Sequence, residues 1–545
     1  MNTLFLQLSW LYTCFVALLA LCAGQTVSPT SFQSPSPSPC SAPNVSCYPV
    51  TACAATGLSV QPPCYWNVST LAGSGTAGYA NGQGISARFN TPLFLSVSMG
   101  TLYVADHGSN RVRNISFSGF VGTVAGSGTI SYADGQGTAA SFNGLSSTVA
   151  DASGNIFATD LYNQRLRKVF PSGYVSTIAG NGVMSDVDNV GTSASFNGPT
   201  GIVLDSSFTN AFIVEQQYGH RVRRINLSSY AVVTIAGSGI AGFADNANGL
   251  LARFNAPSSA VWHPDGALYV ADMLNHRIRR ISIATSAVTT IAGSGVASGV
   301  NAIGTSATFN DPRGIALDAT FSTLYVSEDT GNRIRFITLS TMQVGTVAGS
   351  GAPSFAEGLG TAASFHRPLY LAQSPLGILF NADLNNYRIR QLTCTPCPAG
   401  FFCSSGAPFL CPRGSFCPFS TINPMPCPAG TFSSSSGMST CLPCPAGTYA
   451  WQTGTVQCEG CPEGHFCPLG TSTRVVPNCG FGNYCPEGSP APIACPITIL
   501  PGGGSWADHD AESQGPAFIA DTAACYELCF WVENGDGTRY GGCPD

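Results

Sequence analysis

Short apolar segments separated by polar, glycine-rich stretches fill the chain from residue 67 to residue 392. Segments such as LYVAD, which ends at Asp106, and FIVE, which ends at Glu215, are rich in β-branched and aromatic residues. Apolar runs of this kind, bounded by turn-forming residues, are typical of β-strands. The 62 glycines and 37 prolines among 545 residues also argue against a helical bundle. The sequence therefore predicts an all-β region of short strands and turns.

These segments recur at a regular spacing. One marker, seen as STLAGSG at Ser69 and as TTIAGSG at Thr289, occurs six times, and its threonines stand 53 to 57 residues apart. Regular recurrence of this kind is the signature of a repeat architecture. The marker threonines are Thr70, Thr123, Thr177, Thr234, Thr290 and Thr346.

Each repeat supplies four strands. The marker is followed by a glycine-rich loop and by a phrase such as ARFNTP, which begins at Ala87. An apolar strand, a second strand that ends in an acid and a third strand that begins with R-x-R come next, and the following marker is the fourth strand. Four short strands joined by turns make one blade of a β-propeller. We therefore predict a six-bladed β-propeller.

The two ends of the repeat region predict how the ring closes. The last repeat stops after its third strand at Leu392, whereas the first marker strand, residues 67–72, precedes any complete blade. We predict that this N-terminal strand becomes the outer strand of the last blade. Such closure pairs strand edges that would otherwise invite aggregation.

An acidic residue ends the second strand and an arginine begins the third strand in all six repeats. A feature present in every blade is expected from symmetric packing, whereas a unique binding site must break the symmetry. We therefore predict that these residues form ion-pair and hydrogen-bond networks that hold the blades together. They are Asp106, Arg111, Asp160, Arg165, Glu215, Arg221, Asp272, Arg277, Glu328, Arg333, Asp383 and Arg388.

The repeats combine phrases such as FN-x-P, LYVAD and R-[VI]-R, as in FNAPSSAVWHPDGALYVADMLNHRIRRI from Phe254 to Ile281. This combination resembles the NHL-repeat propellers. The resemblance covers residues 67–392. Three departures affect single loops: Leu145 replaces the proline, His366 replaces the asparagine, and one extra residue precedes Arg221. The resemblance implies scaffolding and binding more often than catalysis, although related six-bladed propellers include metal-dependent hydrolases and lyases.

The 23 cysteines are distributed unevenly. None lies between Cys64 and Cys394, and the segment that follows repeats phrases such as CPAGFFC at Cys397 and CPAGTF at Cys427. This segment resembles the cysteine-rich repeats of ephrin-receptor and TNF-receptor-like ectodomains. The resemblance implies an elongated, disulfide-rich, loop-dominated module after the propeller.

Disulfides are the expected state of these cysteines, and their pairing stays open. Cys441-x-x-Cys444 and Cys458-x-x-Cys461 also fit a zinc ribbon, but disulfides are favoured in a chain with a predicted secretory leader. The disulfide candidates are Cys40, Cys47, Cys53, Cys64, Cys394, Cys397, Cys403, Cys411, Cys417, Cys427, Cys441, Cys444, Cys458, Cys461, Cys467, Cys479, Cys485 and Cys495.

The first 24 residues carry no charge, run apolar and end in small residues, which predicts a secretory signal peptide, with an uncleaved signal anchor as the alternative. No later apolar run is long enough to span a membrane. The predicted segments are the signal peptide at 1–24, a Ser/Pro-rich linker at 25–39, a small cap with two disulfides at 40–66, the propeller at 67–392, the ephrin-receptor-like repeats at 393–496 and a low-information tail at 497–545, which is a possible start of another cysteine-rich module.

Secretion agrees with four acceptor sequences for N-glycosylation, at Asn44, Asn67, Asn114 and Asn226. The last two fall where a third strand is predicted to end and turn outward. We therefore expect a glycoprotein that is secreted or held at the cell surface.

Charge and motifs exclude several function classes. A net charge of −6 gives no polycationic surface for nucleic acid. The G-x-G-x-x-G sequences at Gly73 and Gly237 recur as turns with no helix after them, so we expect no nucleotide cofactor. We expect no metal either, because the repeat-region histidines show no shared register or H-x-E pairing. They are His107, His220, His263, His276 and His366.

The sequence therefore favours a binding or adhesion glycoprotein, not an enzyme, whose propeller presents loops to an extracellular protein or glycan. The loops that vary most between repeats are 130–133, 183–190, 240–249 and 296–303. Two alternatives stay open. One is a metal-dependent hydrolase or lyase with its site at the central channel, and the other is a structural cell-wall or matrix component.

Overall fold

The computed structural model describes residues 64–404, 407–480 and 483–494, with four two-residue strands further along the chain. The predicted signal peptide, the Ser/Pro-rich linker and most of the predicted cap lie outside the described residues, as do Asn44, Cys40, Cys47, Cys53 and Cys495.

Six antiparallel sheets form the propeller, which confirms the predicted fold. The described chain begins with β1 (Cys64–Ala72). Blade 1 contains β2 (Gly82–Gln83), β3 (Pro92–Ser98), β4 (Thr101–Asp106), β5 (Arg111–Ser116) and β6 (Phe120–Ala125). Blade 2 contains β7 (Gly135–Gln136), β8 (Leu145–Ala150), β9 (Ile156–Asp160), β10 (Arg165–Val169) and β11 (Tyr174–Ala179). Blade 3 contains β12 (Asn189–Val190), β13 (Pro199–Leu204), β14 (Asn210–Glu215), β15 (Arg221–Asn226) and β16 (Ala231–Ala236).

The remaining blades follow the same plan. Blade 4 contains β17 (Pro257–His263), β18 (Ala267–Asp272), β19 (Arg277–Ser282) and β20 (Val288–Ala292). Blade 5 contains β21 (Pro312–Leu317), β22 (Thr323–Glu328), β23 (Arg333–Thr338) and β24 (Gln343–Ala348). Blade 6 contains β25 (Gly358–Leu359), β26 (Pro368–Gln373), β27 (Leu379–Asp383) and β28 (Arg388–Pro396), together with β1. The inner strands β3, β8, β13, β17, β21 and β26 contact one another in turn around the ring.

Helix in the described part of the chain is limited to single 3-10 turns in the connections. They are Gly84–Ser86, His107–Ser109, Gly137–Ala139, Gly191–Ser193, Gly249–Leu251, Met273–Asn275, Gly304–Ser306, Gly360–Ala362 and Leu384–Asn386. None of the helices that the structure describes is long and apolar enough to cross a membrane.

The ring closes as predicted, through β1. This strand pairs with β28 in an antiparallel register in which Val68 lies opposite Leu392. A disulfide between Cys64 and Cys394 crosses the same strand pair. Cys64 was predicted to lie in a separate cap, and this assignment is wrong, because Cys64 belongs to β1 and bonds to Cys394. Burial alternates from Cys64 through Trp66 to Val68, so the strand begins three residues before the predicted boundary.

The apolar core is divided into layers between neighbouring blades. The phenylalanine of each FN-x-P phrase is fully buried there, as Phe254 is between Phe212 of blade 3 and Leu268 of blade 4. Its equivalents are Phe89, Phe142, Phe196, Phe309 and Phe365. Because every layer joins two blades, the fold depends on an unbroken ring.

The cysteine-rich repeats are built from small hairpins, each with its own disulfide. The strands are β29 (Phe401–Ser404), β30 (Ala407–Leu410), β31 (Ser415–Phe416), β32 (Met425–Pro426), β33 (Thr431–Phe432), β34 (Leu442–Pro443), β35 (Thr448–Tyr449), β36 (Glu459–Gly460), β37 (Asn483–Tyr484) and β38 (Ile493–Ala494). The disulfides are Cys397–Cys403, Cys411–Cys417, Cys427–Cys441, Cys444–Cys458, Cys461–Cys467 and Cys479–Cys485.

Two features of these repeats follow from the pairing. The four cysteines that fit a zinc ribbon are divided among three disulfides, so their sulfurs are already bonded. Consecutive repeats are also joined by backbone hydrogen bonds, such as Gly414 N to Ser433 O at 2.9 Å and Gly430 N to Ala450 O at 2.7 Å. Beyond them, β39 (Ile497–Thr498) pairs with β40 (Ile519–Ala520), and β41 (Val532–Glu533) pairs with β42 (Arg539–Tyr540).

Candidate functional site: the loop face of the propeller

Each blade contains a buried pair of an acid and an arginine, but the arginine is the second one of R-x-R. In blade 1, Arg113 Nη1 lies 2.9 Å from Asp106 Oδ2, and both side chains are fully buried. The sequence predicted Arg111 as a member of these networks, and Arg113 was not among the predicted residues. The equivalent pairs are Arg167–Asp160, Arg223–Glu215, Arg279–Asp272, Arg335–Glu328 and Arg390–Asp383.

The depth of each arginine in the blade explains this difference. Arg111 is the first residue of its strand and lies directly opposite Asp106, but its side chain extends toward the loops. Arg113 lies two residues further into the blade, where its side chain has no solvent exposure. A guanidinium without access to water requires a counter-charge and several acceptors, and Asp106 is the carboxylate within reach.

The second arginine also connects the other motifs of the repeat. In blade 2, Arg167 donates to the carbonyl oxygens of Ser141 and Ala133 and to Asp134 Oδ1 at 2.6 Å. Asp134 in turn accepts hydrogen bonds from the backbone and hydroxyl groups of the marker residue Thr177. Five loop residues accept a hydrogen bond from the second arginine of their blade in this way. They were not predicted from the sequence, although they recur at one position of the repeat. They are Asn81, Asp134, Asp188, Asp245 and Asn301.

Burial and pairing shift the pKa of the six buried acids in opposite directions. Burial raises the pKa of Asp106 above its ordinary value, while hydrogen bonds from Ser109 and Asn90 and the charge of Arg113 lower it. Burial likewise raises the pKa of Glu215, while Arg223 lowers it. The carboxylates are therefore committed to neighbouring groups within the blade.

The first arginine fixes two loops at one end of the propeller. Arg111 donates from Nη1 to Ser109 O at 3.0 Å and from Nη2 to Ser127 O at 2.6 Å, and its guanidinium lies 3.8 Å from the centre of the Tyr79 ring. Ser109 belongs to the turn before β5, and Ser127 belongs to the loop after β6. The same pair of contacts is made by Arg165, Arg221, Arg277 and Arg388.

These contacts define a loop face, which consists of the turns between second and third strands and of the loops after each marker. The turns are 107–110, 161–164, 216–220, 273–276, 329–332 and 384–387, and the loops begin at residues 73, 126, 180, 237, 293 and 349. The opposite end of the propeller is the hairpin face, formed by the turns between first and second strands.

The residue before R-x-R connects neighbouring blades on the loop face. In blades 1–5 it adopts a left-handed conformation, with φ between +48° and +52°, and its side chain accepts a hydrogen bond from the next blade. Asn110 Oδ1 accepts from Gly144 N at 2.8 Å, and His220 Nδ1 accepts from Ala256 N at 3.1 Å. The other members are Gln164, His276 and Asn332.

The repeat-region histidines are therefore engaged in local contacts. Burial, with the charge of Arg221, lowers the pKa of His220. His107 Nδ1 lies 3.0 Å from Leu145 O, and Asn385 Nδ2 lies 3.1 Å from His366 Nε2. Within the described residues, His, Cys, Asp and Glu form no group of three that could hold a metal ion.

One group of charged residues breaks the six-fold symmetry of the loop face. Asp329, which is almost fully buried, lies 2.6 Å from Arg313 Nη1 and 2.6 Å from Arg367 Nε. Burial would raise the pKa of Asp329, but hydrogen bonds and charges from Arg367 and Arg313 hold it below its usual value. Tyr370 is fully buried beside them and stacks on Phe94 with ring centres 3.7 Å apart.

This group was not predicted, although the sequence carries a signal for it. In blade 5, the residue that follows the acid at the end of the second strand is itself acidic. In the other five blades this residue is not acidic. The six residues at this position are His107, Leu161, Gln216, Met273, Asp329 and Leu384.

A second departure from symmetry is a set of exposed apolar side chains on the loop face of blades 2–4 and their flanking loops. Ile130 is 71% exposed and Tyr162 is 56% exposed. The positions equivalent to Val183, Ile240 and Val296 carry Thr76 between blades 6 and 1 and Ala352 between blades 5 and 6. We call this set the apolar arc. It consists of Ile130, Tyr162, Val183, Met184, Tyr218, Ile240, Leu274 and Val296.

The candidate glycosylation sites differ in their surroundings. Asn67 is exposed on β1. Asn226 is the last residue of β15, as expected, and its Oδ1 accepts hydrogen bonds from Ser228 and Ser229. Asn114 lies within β5, half-buried opposite Gly122, so it does not mark the end of that strand as predicted.

The fold and its repeated networks define the class: this is a six-bladed β-propeller followed by disulfide-rich repeats, and its sequence is similar to NHL repeat-containing proteins and to the ephrin-receptor-like repeat. The sequence family described as tyrosine-protein kinase ephrin type A/B receptor-like matches residues 421–457 and 430–476. NHL repeat-containing protein 2 of Bos taurus is 28% identical over 308 residues, which cover 50% of this chain and 42% of that protein.

Other relatives show the same partial coverage. NHL repeat-containing protein 2 of Homo sapiens is 26% identical over 306 residues, covering 50% of this chain and 42% of that protein. Protein SUPPRESSOR OF QUENCHING 1, chloroplastic, of Arabidopsis thaliana is 26% identical over 287 residues, covering 50% of this chain and 27% of that protein. The chain thus spans less than half the length of these relatives.

Among solved structures, a structural genomics protein of unknown function from Bacteroides thetaiotaomicron is similar, with a TM-score of 0.49 and 18% identity over 61% of this chain and 76% of the other. A streptogramin B lyase is similar with a TM-score of 0.37 and 12% identity, over 62% of this chain and 100% of the other.

Proposed function

We propose that this protein is an extracellular binding protein whose loop face recognises a protein partner through the apolar arc. The observation that carries the proposal is the exposure of these eight side chains on neighbouring loops of one face. Clusters of exposed apolar side chains on soluble proteins are typical of interaction sites.

The arc lies on loops that are held in place before any partner arrives. Arg165 fixes the carbonyl groups of Asn163 and Asn181, next to Tyr162 and Val183. Binding to a preorganised surface loses less conformational entropy than binding to mobile loops. The propeller therefore supplies rigidity, and the loops supply the contact surface.

The chemistry of the arc favours a protein over a glycan. Ile130, Met184 and Ile240 offer aliphatic surface without hydrogen-bonding groups, which suits burial against apolar side chains. Sugar rings require polar partners and aromatic faces, and only Tyr162 and Tyr218 of the arc offer these. Extracellular exposure is supported by the disulfides, which persist in oxidising compartments.

We propose binding and not catalysis because the acids that symmetry repeats are already paired. Each of the six is buried against an arginine within its own blade, as Asp160 is against Arg167 at 2.7 Å. A general acid or base must reach a substrate, and these carboxylates have no solvent exposure.

The test compares two faces of the same molecule. Full-length protein is used to select partners from an array of extracellular proteins, and the affinity of each selected protein is then measured for two double variants. Ile130→Ser with Ile240→Ser changes the loop face, whereas Met99→Ser with Leu376→Ser changes comparably exposed positions on the hairpin face. We expect the loop-face variant to lose about tenfold or more in affinity and the hairpin-face variant to bind normally.

Equal affinities for the two variants would refute the proposed site. Loss of binding after enzymatic removal of glycans from the partner would instead assign recognition to a glycan.

A further inference from the structure

A cleft of about 250 Å³ lies between blades 3 and 4, away from the central channel. Strands β15 and β16 of blade 3 form one wall, and the end of β19 with the turn that follows it forms the other. Asn248 and Leu250, from the connection between the two blades, complete the lining. The cleft therefore belongs to one junction of the ring, whereas the channel is surrounded by the inner strands of all six blades.

Part of this lining is apolar. Ile281 is fully buried in the layer between blades 3 and 4, and Ile235 and Ile283 pack against that layer while keeping part of their surface exposed. The volume of the cleft exceeds that of apolar cavities of roughly 150 Å³ that hold a benzene molecule. The cleft can therefore cover the apolar body of a small organic molecule.

Arg224 of β15 adds a positive charge to the same lining. The residue is half-buried, and its side chain has neither an ion pair nor a hydrogen bond among the residues that the structure describes. Within that part of the chain, the lining contains no aspartate or glutamate. Its other polar members include the Asn248 amide and the Ser286 hydroxyl, which can donate hydrogen bonds. A cation beside neutral donors favours an anionic ligand.

The absence of a partner is particular to Arg224 and is not a property of its position in the repeat. Two other blades carry a cation at this position, and both cations have partners. Lys168 Nζ lies 4.8 Å from the centre of the Phe170 ring, and Arg280 Nη2 lies 3.0 Å from Asp265 Oδ2. The six equivalent residues are Asn114, Lys168, Arg224, Arg280, Phe336 and Gln391.

The acid that contacts the lining is paired with a different arginine. Asp188 accepts hydrogen bonds from the backbone and hydroxyl groups of Thr234, and its Oδ1 lies 2.7 Å from Arg223 Nη2. The side chain of Arg223 is fully buried, on the opposite side of β15 from the cleft. Asp188 therefore leaves the guanidinium of Arg224 available to a ligand.

We propose that this cleft binds a small organic anion in which a carboxylate is attached to an apolar body. The carboxylate would accept hydrogen bonds from Arg224, since guanidinium and carboxylate groups match as a bidentate pair. The apolar body would cover Ile235 and Ile283. The cleft shares no residue with the apolar arc, so the two sites can be tested independently.

Three probes that share one apolar body test this chemistry on the full-length protein. They are 3-phenylpropanoate with a negative charge, 3-phenylpropanol with none and 3-phenylpropylamine with a positive charge. Equilibrium dialysis measures their binding. We expect a saturable site for 3-phenylpropanoate, an affinity for the alcohol that is about tenfold lower or less, and no binding of the amine. Equal affinities for the carboxylate and the alcohol would overturn the role of the charge.

Substitutions at Arg224 assign the charge to this residue. Arg224→Gln should lower the affinity for 3-phenylpropanoate about tenfold or more and leave that for the alcohol unchanged, whereas Arg224→Lys keeps the charge and should retain most of the affinity. Arg280→Gln is the matched control, because it removes the equivalent cation of blade 4, which is already paired with Asp265. It should change nothing.

A substitution that fills the cleft locates the site. Ser282→Leu enlarges a half-buried residue of the lining and should abolish binding of both the carboxylate and the alcohol. Urea titration checks that each variant is folded. Absence of saturable 3-phenylpropanoate binding, or binding that is unchanged in both Arg224→Gln and Ser282→Leu, overturns the proposal.

Discussion

At the scale of single residues, two arginines on one strand have different tasks. Arg165 and Arg167 lie two positions apart, yet Arg167 is fully buried against two acids and Arg165 holds loop carbonyl groups at the edge of the blade. The contribution of each arginine to the free energy of unfolding depends on this difference in burial, because a buried charge that loses its partner strongly destabilises the fold.

Substitution of methionine for each arginine should therefore have unequal effects. Arg167→Met leaves the Asp160 carboxylate buried and unpaired, and we expect it to lower the free energy of unfolding by about 3–5 kcal/mol. Arg165→Met removes two hydrogen bonds near solvent and should cost about 1–2 kcal/mol. Urea titration of the full-length variants measures both. Equal losses would contradict the assignment of the buried ion pair to the second arginine.

A pH effect is expected at His220, whose pKa is lowered in the folded protein by burial and by Arg221. A base with a lowered folded pKa stabilises the fold above its unfolded pKa of about 6.5. That contribution is lost as the pH falls below this value toward the folded pKa. Asn110 and Asn332 fill the equivalent position without titrating, so His220→Asn should keep the inter-blade hydrogen bond.

Unfolding midpoints of the wild type and of His220→Asn test this at about pH 8 and about pH 5. We expect similar midpoints at the higher pH and a larger acid-induced loss in the wild type. The same acid-induced loss in both proteins would assign the pH dependence to other groups.

The residue-level prediction named the acid and the first arginine of each blade and did not name the second arginine, which pairs with the acid. Asp106 and Arg111 are direct neighbours in strand register, as the repeat suggested. The guanidinium that reaches the acid belongs to Arg113, because side-chain length and depth in the blade decide the ion pair. Sequence spacing reports backbone neighbours and carries no information on where a long side chain ends.

At the scale of elements, the pair formed by β1 and β28 carries both the ring closure and the junction with the cysteine-rich repeats. Cys64 and Cys394 are separated by 330 residues and face each other across this pair. A covalent link between such distant positions strongly restricts the unfolded chain.

Replacing both cysteines, in Cys64→Ser with Cys394→Ser, should therefore lower the stability of the propeller by about 2–5 kcal/mol. Trp66 lies on β1 against Tyr325, so fluorescence of proteins that retain Trp66 as their single tryptophan reports on opening of blade 6. The control is Cys444→Ser with Cys458→Ser, which removes a disulfide with a separation of 14 residues outside the propeller. A propeller transition that shifts equally in both variants would argue against a special role for the closing disulfide.

Substitutions at two glycines of the cysteine-rich repeats distinguish the cost of backbone strain from the cost of disturbing the contact between neighbouring repeats. Gly430 and Gly464 have φ values of +83° and +78°. A Cβ at Gly430 would collide with the carbonyl oxygen of Gly470, whereas a Cβ at Gly464 would meet open space. Gly464→Ala should therefore cost about 1–2 kcal/mol through its conformation alone.

Gly430→Ala should be more disruptive, because the neighbouring repeat must also move. Limited proteolysis of residues 397–494 in the full-length variants measures this, with faster cleavage expected for Gly430→Ala than for Gly464→Ala. Cleavage at the same rate would show that stacking of repeats contributes little.

The elements themselves were predictable because their signal is repeated. Six copies of one pattern specify the blades, and the incomplete first and last copies specify the closure. The pairing of Cys64 was not predictable, since Cys64 lies close in sequence to three other cysteines that could have been its partners. Cys64 bonds to Cys394 because β28 extends far enough to place Cys394 beside it. The length of this strand pair, which joins the two ends of the ring, is not evident from the sequence.

At the scale of the whole molecule, the positions that depart from the repeat carry the binding hypotheses. The apolar arc and the Asp329 group both lie where equivalent blades carry different residues. The pattern shared by all six repeats identifies the scaffold, but it leaves out residues that occur in a single repeat. The acid at Asp329 is visible when the six repeats are aligned, but its contacts with both Arg313 and Arg367 depend on the closed ring.

The junction between blades 6 and 1 offers a last test of how the ring is held. In blades 1–5, an amide or imidazole before R-x-R accepts a hydrogen bond from the next blade, but blade 6 carries Tyr387 at this position, with φ of +51°. A bulky aromatic residue is disfavoured in this conformation, whereas asparagine adopts it readily. Tyr387→Asn should also supply an acceptor for the backbone N–H of Thr91, which corresponds to Gly144 in blade 2.

We therefore expect Tyr387→Asn to stabilise the propeller by about 0.5–1.5 kcal/mol, measured by urea titration. Tyr387→Ala is the control, because it removes the ring without supplying an acceptor and should not stabilise. A gain with asparagine and none with alanine would show that the inter-blade hydrogen bond works at the closing junction as it does at the other five. Destabilisation by asparagine would show that the Tyr387 ring itself supports closure, so that this junction is held differently from the rest.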